Sequence, residues 1–372
     1  MKVALIADWL PTFGGAEHVV AEFHALWPDA PLFTTVARKD HLGPLRDAAI
    51  RTSPLQRWYQ ITRQHTWLLP WMPRALERFD LRGYDLIVSS SHAVGKGIIP
   101  PSSAVHVCYC HTPMRYAWEM EEEYLHDFRV PHFARKTVKK MLKQLRRWDL
   151  TTARRTDVFL ANSHATKERI ARTYGRESTV VPPPVEDRFF SVPLAGKRRE
   201  GYYLGIGRLV PYKRFDLLIE TANALKLPLK IAGVGKSFAS LKRLAGPTVE
   251  FLGFVPDEAL PTLYAQAKAV LFPQVEDAGV VPLEAQACGT PVIALGQGGV
   301  LDTVRDGVTG LFFPEQTRES LSAALARFAE RSFDPEAIRS HARAFSSSRF
   351  RTQMLATIED ALHRFRRAGS PL

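Results

Sequence analysis

"YYLGIGRLVPYKRFDLLIE", residues 202–220, decides the fold. Its apolar start, YYLGIG (202–207), has the length and composition of a buried strand. The chain then turns at Gly207 and is expected to enter a helix near Tyr212. Strand, turn and helix in that order form half of a βαβ unit. The same alternation runs along most of the chain. KVALIA (2–7), DLIVSS (85–90), VHVCY (105–109) and DVFLAN (157–162) read as strands before it, and PLKIAG (228–233), VEFLG (249–253), AVLFP (269–273) and PVIAL (291–295) after it. Near-continuous apolar strands separated by helices indicate parallel sheets covered on both faces. The alternation restarts after SVPLAGKRREG (191–201), a charged, Gly/Pro-containing stretch that reads as a linker. The fold class is therefore α/β, with two Rossmann-like βαβ domains expected over 1–192 and 200–340. Each would offer the C-terminal ends of its strands to a ligand, facing a central cleft. A last helix over about 346–368 carries Phe350, Met354, Ile358 and Leu362 at four-residue spacing and can return to the first domain.

Composition narrows the classes. Hydrophobic residues at 45% and charged residues at 24% are the balance of a soluble globular chain. The formal charge of +12 favours an anionic partner: phosphate, a membrane surface, nucleic acid or an acidic sugar. The opening MKVALIADWL has an apolar run too short for a secretory signal, and no stretch has the length of a membrane span. Three cysteines, Cys108, Cys110 and Cys288, suit a reducing cytoplasm better than a disulfide framework. Cys108, Cys110 and His111 lack a second ligand pair at zinc spacing, so no metal or other cofactor is expected.

Five segments can carry chemistry. In VEDAGVVPLEAQACGTPV (275–292), Pro282 suits the first turn of a helix. Gly279 before it permits close approach of backbone to a ligand. The amides around Gly279, Val280 and Val281 would then face an anion. Glu276 in the loop and Glu284 in the expected first helical turn could grip sugar or ribose hydroxyls. Equally, Glu284 could complement the helix dipole while Glu276 is simply solvated. In 205–220, Arg208 and Lys213 flank a strand-to-helix turn and suit a diphosphate, although two surface cations on a loop would look the same. In DWLPTFGGAEHVV (8–20), Gly14 and Gly15 open a helix where a sugar or phosphate could close against backbone. The spacing is not that of a dinucleotide fingerprint. In CYCHTPMRYAWEMEEEY (108–124), His111 falls at a strand end, with Arg115, Tyr116 and Trp118 offering a cation and stacking faces to a carbohydrate. In FARKTVKKMLKQLRRWDL (133–150), Val138, Met141, Leu142, Leu145 and Trp148 share one helical face. From Arg129 to Arg155 there are ten Lys/Arg against one acid, Asp149. Such a helix can lie on anionic lipid or pack as an ordinary core helix, and both hold if only its basic rim touches lipid.

Taken in order, these segments resemble the retaining glycosyltransferases of family 4, which have the GT-B architecture. The resemblance spans nearly the whole chain: the glycine pair 14–15, His111, ANSHATKERI (161–170), GRLVPYKRFDLLIET (207–221) and the E-x7-E signature in EDAGVVPLEAQACGTPVIA (276–294). YCHTPMRYAWE and LVPYKRFDLLIE look more narrowly like mannosyltransferases of bacterial O-antigen and exopolysaccharide synthesis. The resemblance implies a GDP-mannose donor in the second domain and a glycan or lipid-linked glycan acceptor at the first. Glu284 would hold ribose hydroxyls, Arg208 and Lys213 the leaving diphosphate, and Glu276 and His111 the transferred sugar. His111, Glu276, Arg208 and Lys213 are the implied catalytic set, and Arg115, Tyr116 and Trp118 the implied acceptor side. No Asp-x-Asp is seen, so metal-independent transfer is expected, with domain closure to exclude water. The implied location is cytoplasmic, including the inner face of the cytoplasmic membrane. Ala278 departs from the family, which commonly has Phe there, and leaves the sugar more open. A UDP-sugar donor is the alternative within the family. A basic nucleic-acid binder is the rival of another class, disfavoured because the sequence has no RNA-binding or zinc-finger motif.

Overall fold

The computed structural model describes residues 1–118, 132–194 and 201–368. The chain divides into two compact units. The first is Met1–Pro182 together with the helix from Arg351 onward, and the second is Pro183–Phe350.

The sheet of the first unit has seven strands: β1 (Val3–Ala7), β2 (Leu32–Thr34), β3 (Ile50–Thr52), β4 (Leu86–Ser91), β5 (Val105–Cys110), β6 (Val158–Ala161) and β7 (Ser178–Val180). Their order is β3-β2-β1-β4-β5-β6-β7, every pair parallel. Strands β1, β4 and β5 are buried along their whole length, which explains why their sequences are apolar without alternation. The order reverses between β1 and β4, where Ala7 sits opposite Ser90. Crossovers leave these two neighbours in opposite directions, and a crevice opens at their C-terminal ends.

The second unit repeats the plan with β8 (Tyr203–Ile206), β9 (Leu229–Ala232), β10 (Val249–Gly253), β11 (Ala269–Phe272), β12 (Val292–Leu295) and β13 (Gly310–Phe313). The order is β10-β9-β8-β11-β12-β13, again all parallel. Its reversal lies between β8 and β11. The chain leaves those strands through the two loops that carry Arg208 and Glu276, so segments 205–220 and 275–292 meet at one switch point.

Three expectations are corrected. The first unit ends at Pro182 rather than 192. Val185 N–H donates to Phe345 O at 2.8 Å, and the short helix Asp187–Ser191 seats Phe189 in the second core with its ring 5.9 Å from that of Tyr264. The second unit runs on past 340 to Phe350, because the helix Pro335–Ala342 buries Arg339, which donates to Ala287 O at 2.8 Å and Val192 O at 2.6 Å. In the last helix, Ser347–Ala368, Ala361 rather than Leu362 completes the buried stripe of Phe350, Met354 and Ile358. From Arg351 onward this helix belongs to the first unit. Arg351 pairs with Glu22 of the helix Gly15–Leu26 at 2.7 Å, and Leu362 and Phe365 line a recess with Met1, Asp85 and Val105.

The basic segment forms the helix His132–Thr152. Its apolar face of Val138, Met141, Leu142, Leu145 and Trp148 packs into the first core, so that face is not free for lipid. Buried Lys96 pairs with buried Asp149, whose second oxygen accepts from Trp118 Nε1 at 2.7 Å and Tyr174 Oη at 2.9 Å. Among the described residues no helix is long and apolar enough to cross a membrane.

Candidate active site

The second unit gathers the expected donor residues. After β8 the chain makes a 3-10 turn, Pro211–Lys213, and the helix proper begins at Phe215 rather than near Tyr212. The turn folds the Lys213 side chain back over Gly207, where a Cβ would stand 3.0 Å from Nζ. There Lys213 Nζ lies 2.7 Å from Glu276 Oε1, which comes from the loop after β11. Arg208 is exposed beside it.

The helix Val280–Ala287 is capped by Gly279 in the left-handed region, φ 67° and ψ 56°. That conformation suits glycine. It leaves the amides of the first turn without a side-chain cap. Pro282 is the third helical residue and Glu284 the fifth, so Glu284 stands beyond the first turn, contrary to expectation. A role as first-turn dipole partner is removed with it. Instead Glu284 Oε2 accepts from Tyr264 Oη at 2.7 Å. Burial and the adjacent carboxylate push the Tyr264 phenol well above its ordinary pKa, so it remains a donor. One oxygen of Glu284 is thereby fixed by the protein.

The loop holding Glu276 is clamped from below by Gly298 and Gly299, which open the short helix Val300–Thr303. Gly299 N–H donates to Glu276 O at 2.9 Å. A Cβ on Gly299 would lie 2.1 Å from Asp277 O, and one on Gly298 2.6 Å from Glu276 O. Ala278 is buried beneath the same loop.

In the first unit the switch point holds a polar cluster of which the sequence showed only part. Asp8 follows β1, is buried, and accepts the backbone N–H groups of His92 (2.7 Å), Ala93 (3.1 Å), Val94 (2.7 Å) and Gly95, with His92 Nδ1 at 2.9 Å. Burial alone would raise its pKa. The His92 ring and the amides overcome that and hold it at about 2. His111, at the end of β5, has Nε2 2.8 Å from Ser90 Oγ and its ring 5.1 Å from Tyr109. Burial, reinforced by His92, lowers its pKa to about 3, so it is a neutral imidazole near pH 7. Asn162-Ser163 precede the helix His164–Tyr174. Ser163 Oγ accepts from Thr166 N at 3.0 Å and caps it, and Thr166 Oγ1 donates to His111 O at 3.3 Å. Gly15 begins the helix Gly15–Leu26 with Gly14 as an extended cap, and burial raises the pKa of first-turn Glu17.

On the expected acceptor side, Trp118 is corrected. Its indole N–H is committed to Asp149 and its ring packs against the first core, so it is not an open stacking face. Arg115 is half-buried in the short helix Arg115–Trp118, and the Tyr116 side chain lies outside the described residues. Cys108 and Cys110 are buried in β5, and burial pushes the Cys108 thiol up to about 12, so they are core thiols.

Two family models match consecutive stretches of the chain, Glycosyltransferase Family 4 over residues 13–189 and Glycosyl transferases group 1 over 189–345. The chain belongs to glycosyltransferase family 4. Among curated relatives of this family 4 protein, the GDP-mannose-dependent alpha-(1-6)-phosphatidylinositol monomannoside mannosyltransferase of Mycolicibacterium smegmatis is 37% identical over 183 residues, 41% of this chain and 48% of the relative. The D-inositol 3-phosphate glycosyltransferase of Geodermatophilus obscurus is 34% identical over 225 residues, 52% of this chain and 50% of the relative. The chain thus spans about half the length of the curated relatives it matches. Among solved structures, Anabaena Alr3699/HepE in complex with UDP aligns with TM-score 0.69 at 19% identity, covering 97% of this chain and 100% of that one. The sucrose-phosphate synthase of Thermosynechococcus elongatus aligns with TM-score 0.70 at 18% identity, covering 98% and 100%. These likenesses establish the GT-B class of the two parallel-sheet units.

Proposed function

We propose that the chain is a retaining glycosyltransferase that moves mannose from GDP-mannose to a glycan or lipid-linked glycan acceptor in polysaccharide synthesis. The observation that carries this reading is the Lys213–Glu276 pair at the β8–β11 switch point, beside Arg208 and the uncapped amides after Gly279. A nucleotide diphosphate is an anion with hydroxyls at both ends, and this site offers cations and amides between two carboxylates. Arg208, Lys213 and the amides of Val280 and Val281 take the diphosphate and stabilise the charge that grows as it leaves. Glu284, held by Tyr264, takes the ribose hydroxyls. Glu276 takes hydroxyls of the sugar, and the neutral His111 and Gly14-Gly15 of the first unit serve the sugar and acceptor. The anomeric C–O bond breaks toward the diphosphate, the acceptor oxygen bonds on the same face, and its proton passes to the departing phosphate oxygen. In this reading the two cations do the work of a divalent ion, so chelation leaves transfer intact.

Mannose and guanine are supported by the GDP-mannose-dependent activity of the mycobacterial relatives. A UDP-sugar is the second reading, favoured by solved structures of this fold that hold UDP and UDP-glucose. A donor screen separates them. The protein is offered GDP-mannose, UDP-glucose, UDP-galactose and UDP-N-acetylglucosamine, with and without a chelator, and nucleotide release is measured. GDP release from GDP-mannose, unaffected by the chelator, is expected. Preference for a UDP-sugar overturns the mannose assignment, and loss of activity on chelation overturns metal independence.

A further inference from the structure

We infer that the surface formed by residues 54–78 of the first unit docks on an anionic lipid bilayer. Three of the chain's seven tryptophans lie in this stretch with their sides to solvent: Trp58 at 63%, Trp67 at 64% and Trp71 at 56% exposure, joined by Ile61 at 78%. Trp58 and Ile61 are three apart on the helix Leu55–Thr62 and therefore share a face. Trp67 and Trp71 belong to the adjoining turn His65–Trp71, which packs against that helix. Four large apolar side chains left outside on adjacent elements mark an interaction surface.

Its charge says what covers it. Arg57, Arg63, Arg74 and Arg78 are exposed in the same stretch. The one acid there, Glu77, is turned inward, accepting from Trp148 Nε1 at 2.9 Å and Arg155 Nη1 at 2.7 Å. Gln60 and Arg63 also line a recess of about 520 Å³ with Arg38, Lys39 and Asp40, wide enough for a phosphate headgroup beside the aromatic face. Tryptophan prefers the membrane–water boundary, and arginines next to it draw in anionic headgroups. A symmetric pairing of two copies would set the four exposed arginines of this stretch against four, while its own carboxylate, Glu77, is engaged inward, which is unfavourable. The helix His132–Thr152 lacks this combination, since its apolar face is already spent on the core. It can add attraction but no insertion. The proposal goes beyond the transferase reading and does not depend on which sugar is moved.

Flotation with phosphatidylcholine vesicles, with and without phosphatidylglycerol, tests it together with tryptophan emission. Binding is expected only to vesicles containing phosphatidylglycerol, weakening with salt, with emission shifted to shorter wavelength. The triple variant Trp58→Ser, Trp67→Ser, Trp71→Ser should lose about tenfold or more in vesicle affinity. It should keep nucleotide release from a soluble donor, which separates lost docking from lost folding or lost transfer. Arg57→Gln with Arg74→Gln and Arg78→Gln should flatten the salt dependence. Three outcomes overturn the proposal. One is wild-type binding by the tryptophan variant when Lys136→Gln, Lys140→Gln, Lys143→Gln abolishes it. Another is no binding to either vesicle. The third is a tryptophan variant that changes only the association state of the protein.

Discussion

Lys213 shows at a single residue how the site is built. It is only 8% exposed, its ammonium rests 2.7 Å from Glu276, and Gly207 leaves the room it needs. A nearly buried cation is tolerable because the carboxylate compensates it. An arriving diphosphate supplies a second, stronger anion to the same ammonium. Lys213→Ala and Arg208→Ala should each lower turnover by about 10²–10³-fold, the usual effect of removing one pre-placed charge partner. Circular dichroism and thermal unfolding should stay near wild type. Near-wild-type turnover in both variants would remove the diphosphate assignment. The two cations and two glutamates stood out as candidates in the sequence because they cluster at two strand-to-helix turns, although their spacing fitted surface charges equally well. Tyr264 could not, since it stands twenty residues from Glu284 on another helix and only packing brings them together. Asp8 showed in the sequence only as the end of an apolar run, because its amide partners come from the far side of β4.

Secondary-structure elements explain most of what the sequence left unread. The nine longer strands announced themselves as apolar runs. Strands β2, β3 and β7, of three residues each, and β13, whose Gly310 start reads as a turn, have too little sequence to show a period. The helix after Lys213 begins later than expected because Arg214 adopts φ 53° and divides a 3-10 turn from the helix. The clamp beneath the Glu276 loop went unread because glycines after a strand suggest only a turn. Gly299→Ala tests it. The new methyl would meet Asp277 O, so the 276–279 loop must move and carry Glu276 off Lys213. The Michaelis constant for donor should rise by about tenfold or more, as for a displaced charged hydrogen bond. Melting should change far less. An unchanged constant would show that the loop tolerates the shift.

Across the whole molecule, protonation should act unevenly on the two units. In the first, burial lowers His65 and His106 to about 4 and His111 to about 3, below the ordinary 6.5. The unfolded chain takes up those protons below about 6.5 while the folded one refuses them, so stability is lost as pH falls from there toward 4. Asp8, held at about 2, adds a contribution that is complete above about 4 and lost as pH falls toward 2. Residues 183–350 carry a single histidine, His341, whose pKa burial also lowers. Calorimetry across this range should show the first unit's transition falling further than the second's. Parallel shifts would contradict the assigned burial of these histidines.

The last helix has a bearing on biogenesis. Its buried residues from Met354 to Ala361 complete a unit whose other parts precede the entire second unit in the chain. On the ribosome, the amino-terminal half must wait through translation of Pro183–Phe350 before the piece that seals it emerges. Until then the seat of that helix, near Glu22 and Val105, lies bare and open to chaperones or proteases.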